Sequence, residues 1–136
     1  MEQKGQGARV FKTKRFDRFA SKESIEDADL CAVVHSIERG IIDADLGGGV
    51  IKQRIARRRE GKSGGYRTII FFRSGSKAFF IYGFAKGKLS NISSNELRAF
   101  KTLADEMLDY DDVTLAESLC KGAILEVECD EETVSK

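Results

Sequence analysis

The middle of the chain reads Tyr-Arg-Thr-Ile-Ile-Phe-Phe-Arg (66–73), Ser-Gly-Ser (74–76) and Lys-Ala-Phe-Phe-Ile-Tyr-Gly-Phe (77–84). Aromatic and β-branched residues dominate both longer runs, and a short glycine-containing segment between two such runs predicts a β-hairpin. The preceding segment, Val50–Arg58, alternates imperfectly and predicts a strand with one cationic face, followed by a loop at Arg59–Gly65. Three successive strands joined by short connections predict an antiparallel meander.

Working outward, the flanking segments predict helices and two further strands. Arg9–Thr13 is typical of a first strand, and Lys14–Lys22 has apolar residues at helical spacing. Ser24 is the predicted cap of a second helix that ends at Gly40. The remaining predictions are a polar turn at Asp43–Gly49, a helix capped by Ser93 or Ser94 that runs to about Leu108, a short helix at Thr114–Lys121 and a strand at Ala123–Cys129.

Composition limits the class of protein. A chain of 136 residues fits one domain with a single modest core. It has no apolar run long enough to cross a membrane, and Met1–Gly7 lacks the apolar segment of a signal peptide, so we expect a cytoplasmic protein without membrane contact. Three widely spaced cysteines predict reduced thiols, with Cys31 packed in the core. One histidine and no close cysteine pair predict no metal site.

Charge is distributed unevenly behind a net charge of +1. Residues 46–101 contain 13 Lys and Arg against only Glu60 and Glu96, whereas residues 102–136 contain 2 against 11 Asp and Glu. A merely solvated surface usually mixes both signs, so cations that converge from neighbouring strands indicate a phosphate-binding face. The acidic C-terminal third is expected to pack on the fold as a solvated helix and strand; the alternative is that it shields the basic face.

Gly-Lys-Ser-Gly-Gly-Tyr-Arg-Thr-Ile-Ile-Phe-Phe (61–72), Phe-Phe-Ile-Tyr-Gly-Phe-Ala-Lys (79–86) and Asn-Ile-Ser (91–93) resemble the RelE/HigB toxins of type II toxin–antitoxin systems. The resemblance covers about Val10 to Leu108. It implies a small α+β RelE-like fold, with an antiparallel sheet, N-terminal helices packed on it and additional C-terminal helices. We therefore expect residues 1–136 to form a single toxin domain, with a core at about 9–108 and an acidic extension at 109–136.

The resemblance also implies a function. RelE-like toxins are mRNA endonucleases that act in the ribosomal A site, require no cofactor, and are silenced by a cognate antitoxin. That antitoxin is expected to be a helix-turn-helix protein, through which alone the toxin would reach operator DNA. A ParE-like gyrase poison and a catalytically degenerate antitoxin-binding protein remain alternatives, because fold alone does not settle the target.

Cleavage of RNA without a metal needs a base for the 2′-OH, cations on the scissile phosphate and an acid for the 5′-oxygen. Lysine can serve as a base when other cations crowd it, and guanidinium groups grip phosphate oxygens with paired donors. Lys52 and Arg54 match the Lys-x-Lys pair of RelE-like toxins, with Lys52 as candidate base. By the same resemblance, Arg67 is assigned to the scissile phosphate and Lys86 to the basic pair after the aromatic strand.

Further cations are expected to hold the RNA backbone, and the acid stays unassigned. The expected backbone contacts are Arg57, Arg58, Arg59, Lys62 and Lys88. Tyr66 either stacks on a base or packs in the core. Three residues are considered for the acid: Tyr82 is expected to be buried by strand alternation, Tyr110 lies in a helix break and His35 is on the wrong element.

Overall fold

The computed structural model describes residues 7–57, 61–85 and 92–129, and for residues 56, 57 and 61–64 it describes the backbone only. No helix in these ranges is both long and apolar enough to cross a membrane. The elements, in chain order, are β1 Arg9–Thr13, α1 Lys14–Glu23, α2 Asp27–Glu38, β2 Ala44–Gly47, β3 Val50–Arg57, β4 Gly61–Arg73, β5 Lys77–Ala85, α3 Ser94–Leu108, α4 Asp112–Lys121 and β6 Ile124–Val127.

The described strands form one six-stranded sheet in the order β2-β3-β4-β5-β1-β6. The predicted meander of β3, β4 and β5 is confirmed, as is the α+β class. One pairing differs from a wholly antiparallel sheet: β1 runs parallel to β5, with Phe11 opposite Phe79. This pairing is parallel because α1 and α2 carry the chain back across the sheet before the meander begins.

Helices cover both faces of the sheet. On one, the α1–α2 face, Phe16, Leu30 and neighbouring helical residues pack on Ile70 and Phe80 of the strands. On the other, the α3–α4 face, Met107 and Leu115 belong to a cluster with strand residues that include Phe11, Val50, Phe71 and Phe79. A strand points successive side chains to opposite faces, which is why neighbouring apolar residues of β4 belong to different clusters.

Two local predictions were wrong. Ser24 does not begin α2; it has a φ of 60° and ends α1, where its N–H donates to the carbonyls of Ala20 and Ser21. Glu26 is the N-cap of α2 and exchanges hydrogen bonds with Asp29. The left-handed turn at Ser24 closes α1, so α2 begins two residues later than predicted.

The polar segment Asp43–Gly49, predicted as a turn, contains the edge strand β2. Ala44 and Asp45 pair with Lys52 and Ile51 of β3 across a register shift. Gly47, the last residue of β2, and Gly48 and Gly49 all have positive φ, and the reversal itself takes only Gly48 and Gly49. A short, polar edge strand lacks the apolar run that identified the other strands.

The expectation of reduced thiols was wrong for two cysteines. Cys31 in α2 forms a disulfide with Cys129, which follows β6, and Cys120 is an exposed free thiol. The two bonded residues are 98 positions apart in the chain, so the sequence contained no local pattern that indicated the pair.

The described part of the acidic segment, up to residue 129, packs on the fold. β6 pairs with β1 at the sheet edge opposite to β2 and β3, and Ile124, Val127 and Leu115 are buried. Glu126 accepts two hydrogen bonds from Arg9, which raise the pKa of that guanidinium. Among residues 109–129, the carboxylates that form ion pairs in the structure pair with Arg9 and Arg73 and not with Lys52, Arg54 or Arg67.

Gly83 of β5 sets how closely α1 approaches the sheet. A Cβ at this position would collide with the ring of Phe19 and lie 3.1 Å from Cε1 of Phe16. We expect Gly83→Ala to lower the free energy of unfolding by about 1–3 kcal/mol, because α1 must move to relieve the overlap. Chemical denaturation measures this. Gly7→Ala is the control, since a Cβ there meets nothing within 4 Å, and equal stability of the two variants would contradict the prediction.

Candidate functional site

Lys52, Arg54 and Arg67 lie on one face of the sheet. Val50 belongs to the α3–α4 cluster, and alternation along β3 places Lys52 and Arg54 on the same side. Ile69 belongs to that cluster as well, so Arg67, two residues away on β4, also faces this side. We call these three cations the basic face. This placement agrees with the prediction, made from the sequence, that cations of neighbouring strands converge on one face.

The two arginines of the basic face are direct neighbours. Arg54 and Arg67 are register partners on β3 and β4, and opposed residues of an antiparallel pair have Cα atoms about 4.5–5.5 Å apart. Like charges placed directly opposite each other destabilise a sheet. The ion pairs between described residues involve Arg9, Lys12 and Arg73, and none includes a cation of the basic face. An anion bound between the arginines would relieve their repulsion.

Arg67 carries an unsatisfied donor. Its Nη1 atom is buried and has no hydrogen-bond partner among the described residues. A buried polar group without a partner costs free energy, and the cost is greater for a charged group. Arg67 lines a depression of about 320 Å³ together with Lys52, Arg54 and Asp43. The donor therefore belongs to a residue that borders an open, mainly cationic site.

A hydrogen-bonded network fixes the wall of this depression. Gln53, which is 6 % exposed, accepts a hydrogen bond from the N–H of Asp43 and donates one to the carbonyl of Ile41. In return, Asp43 accepts a hydrogen bond of 2.7 Å from the N–H of Arg54, and Thr68 donates to the carbonyl of Gln53. The network holds β3 rigidly at the basic residues. Sequence reasoning missed Asp43, because it sat in a segment interpreted as a turn.

Tyr66 has the environment of a packing residue. It is 2 % exposed, its ring meets Phe19 edge-on, and its hydroxyl donates a 2.7 Å hydrogen bond to Glu23 of α1. By strand alternation it points to the α1–α2 face, away from Arg67. Of the two roles considered from the sequence, the structure therefore favours packing over base stacking.

Tyr82 lies on the α3–α4 face, the side of the sheet that carries the basic face, contrary to the simple alternation that predicted its burial. The β4–β5 register shifts between Ile69 and Ile70, so that Ile81 has no partner and Tyr82 lies opposite Ile69. This β-bulge moves Tyr82 to the α3–α4 face, where it is half-buried. Thr13 donates a hydrogen bond to the carbonyl of Ile81. A glycine inside a strand is a signal for a bulge, and Gly83 was that signal.

The other predicted site residues are placed only in part. The backbones of Arg57 and Lys62 lie in β3 and β4, but their side chains are not described. Arg58, Arg59, Lys86 and Lys88 lie outside the described residues. His35 is exposed on α2, and Tyr110 packs edge-on against Phe79, so neither borders the basic face.

Comparison with known proteins agrees with this architecture. A family model for the RelE toxin of the RelE/RelB toxin–antitoxin system matches residues 8–127, from the start of β1 to the end of β6. No curated protein matches the chain.

Proposed function

The chain belongs to the RelE toxin family, the toxins of RelE/RelB toxin–antitoxin systems, and from this premise we propose that it is a ribosome-dependent mRNA endonuclease that inhibits translation. The observation that carries the proposal is the pair of opposed arginines, Arg54 and Arg67, with no ion-pair partner among the described residues. An anion bound between the two guanidinium groups would relieve this repulsion, and the backbone phosphate of RNA is the anion that such a nuclease binds.

The proposed chemistry is an attack of the RNA on its own backbone. Lys52 removes the proton of the 2′-OH, the 2′-oxygen bonds to phosphorus, and the bond to the 5′-oxygen breaks. The products are a 2′,3′-cyclic phosphate and a 5′-oxygen that must gain a proton to become a 5′-OH end. Arg54 and Arg67 stabilise the charge that builds on the phosphate oxygens. Lys52 is two residues from Arg54 on β3, about 7 Å along the strand, so both can reach a single nucleotide.

The remaining assignments follow from the family resemblance. Lys86 completes the proposed catalytic set, and the RNA backbone contacts are Arg57, Arg58, Arg59, Lys62 and Lys88. The proposed partners are the ribosome with its mRNA in the cytoplasm and a helix-turn-helix antitoxin that silences the toxin. The acid that protonates the 5′-oxygen has no assignment among the described residues.

Mapping of mRNA 5′ ends after a brief induced pulse of the protein tests the proposal. We expect in-frame cuts within translated regions, and we expect none after a pulse of the triple variant Lys52→Ala/Arg54→Ala/Arg67→Ala. The matched control is Arg39→Ala, because Arg39 is an exposed cation at the end of α2, away from the basic face. It should cut as the wild type does.

The second candidate is a protein that binds its target without cleaving RNA. It is favoured because no histidine lies at the depression to act as the acid: the chain's single histidine, His35, is exposed on α2. Growth arrest without mRNA cuts would overturn the nuclease and indicate a gyrase poison. Neither arrest nor cuts would indicate a degenerate antitoxin-binding protein. Cuts that persist in the triple variant would place the chemistry elsewhere on the molecule.

A further inference from the structure

We propose that the cavity beside Tyr82 is a nucleobase pocket, which receives a base of the RNA whose phosphate lies between Arg54 and Arg67. The inference rests on the proposed function, since it needs RNA on the basic face. The cavity measures about 490 Å³, and its lining includes the aromatic rings of Tyr82 and Phe100 and the apolar side chains of Ile92 and Leu103. A concave, mainly apolar site of this size with a few polar groups is typical of ligand pockets.

The register of the sheet places the pocket at a suitable distance from the phosphate site. Arg54, Arg67 and Phe84 form one row across β3, β4 and β5, and Lys52, Ile69 and Tyr82 form the next. Adjacent rows on one face are two residues apart, which is about 7 Å in an antiparallel sheet. Tyr82 is also one strand further across the sheet than Arg67, about 4.8 Å, so the two Cα atoms are about 8 Å apart, which suits the phosphate and the base of one nucleotide. The bulge at Ile81 produces this arrangement, because without it Tyr82 would point to the opposite face.

The polar groups of the pocket suit a heteroaromatic ring better than an aliphatic side chain. The guanidinium of Arg15 lies 5.0 Å from the centroid of the Tyr82 ring, and Phe84 packs against that ring with centroids 5.9 Å apart. Both contacts hold Tyr82 in place. Arg15 and Glu96 line the cavity as well, so donors and an acceptor are available to the edge of a base. Aromatic rings and arginine planes are the groups on which unstacked bases of RNA are bound.

The pocket also contains apolar surface that the fold leaves uncovered. Leu103 is 40 % exposed on α3, and Tyr82 is half-buried, although both adjoin the buried α3–α4 cluster. A peptide side chain would fill the pocket equally well in terms of volume. It would not explain why the cavity lies one row along the sheet from Arg54 and Arg67, which share no ion pair with the described residues. A nucleobase whose phosphate is bound by Arg54 and Arg67 accounts for both the uncovered apolar surface and the nearby cations.

The test is a binding experiment that does not depend on cleavage. The probe is a 2′-O-methyl trinucleotide, whose blocked 2′-OH prevents reaction, compared with the same backbone lacking its central base. Stacking of one base contributes about 1–3 kcal/mol by alanine substitution, so we expect the wild type to bind the complete probe about tenfold more tightly. In Tyr82→Ala this ratio should fall towards one, while affinity for the abasic probe stays unchanged. Low salt keeps the phosphate contribution measurable.

Tyr82→Phe separates the ring from the hydroxyl. It keeps the stacking surface and should restore most of the tenfold ratio. A ratio of one in the wild type, or an unchanged ratio in Tyr82→Ala, would overturn the pocket, as would a Tyr82→Phe variant that behaves like Tyr82→Ala. Thermal unfolding of each variant confirms that it is folded. Because the probe cannot be cut, a normal binding ratio without mRNA cuts in cells would count against the nuclease and leave the pocket standing.

Discussion

Replacement of Arg67 with alanine is expected to lower the rate of mRNA cleavage on programmed ribosomes by about 10²–10³-fold, the usual cost of removing one preorganised donor from a developing oxyanion. Arg67 has a buried Nη1 atom without a partner among the described residues, and it lies directly opposite Arg54. A phosphate in the depression would offer an acceptor to a guanidinium that has an unsatisfied donor. The measurement is a single-turnover time course with purified ribosomes, read as the 5′-OH product.

Arg67→Lys is the informative companion variant. It keeps the positive charge but replaces the planar fork with a point charge, so paired contacts to two phosphate oxygens are lost. We expect a cleavage rate between those of the wild type and Arg67→Ala, whereas Arg39→Ala should react at the wild-type rate. If Arg67→Ala cleaves mRNA at a rate within a few-fold of the wild type, Arg67 does not bind the scissile phosphate and the proposed role is wrong.

Although Arg67→Ala is expected to lower activity, it is not expected to lower stability. Two like charges opposite each other on an antiparallel pair are destabilising, so removing Arg67 relieves Arg54. Arg67→Ala should therefore unfold at a temperature no lower than the wild type while losing activity. A loss of activity accompanied by a large loss of stability would instead mean that Arg67 is a structural residue. Functional sites often retain such unfavourable contacts at the expense of stability.

Residues with a strong periodic signal were predicted well from sequence. The runs around Ile69 and Phe79 identified the meander, and the imperfect alternation of Val50–Arg58 predicted a strand with one cationic face, which is where Lys52 and Arg54 lie. Ser93 was one of the two predicted caps of α3, and it is the N-cap in the structure. These features depend on local propensity and on burial of one face, both of which a single sequence records.

Features that depend on contacts distant in sequence were not predictable in this way. The bulge at Ile81 depends on how β5 meets β4 and on the contact of Thr13 with Ile81, and it alone decides which face Tyr82 occupies. A shift of one residue reverses every later side chain of a strand, so the alternation that worked for β3 failed for the second half of β5. Asp43 was missed for a related reason, because its role depends on Gln53 and Arg54 of another strand.

Loss of the Cys31–Cys129 disulfide is expected to lower the free energy of unfolding by about 3–5 kcal/mol. The bond closes a loop of 98 residues, and in the chain-entropy account a loop of about that length restricts the unfolded chain by nearly 5 kcal/mol. Urea denaturation of oxidised and reduced protein measures the difference. Cys129→Ser should have the stability of the reduced protein under both conditions, and Cys120→Ser, which removes the exposed free thiol, should behave as the wild type.

We expect reduction of the disulfide to leave the activity of the basic face unchanged. The bond joins α2 to the segment after β6, whereas Arg54 and Arg67 lie on β3 and β4, and β2-β3 and β6 are at opposite edges of the sheet. Pairing of β6 with β1 does not require the bond, so the reduced protein should stay folded without denaturant and cleave mRNA at the wild-type rate. Thiol titration fixes the starting state, with one reactive thiol per chain before reduction and three after it. If the reduced protein is as stable as the oxidised protein, the loop is already restricted in the unfolded chain. If the reduced protein is folded but does not cleave mRNA, the disulfide at one edge of the sheet affects the basic face near the other.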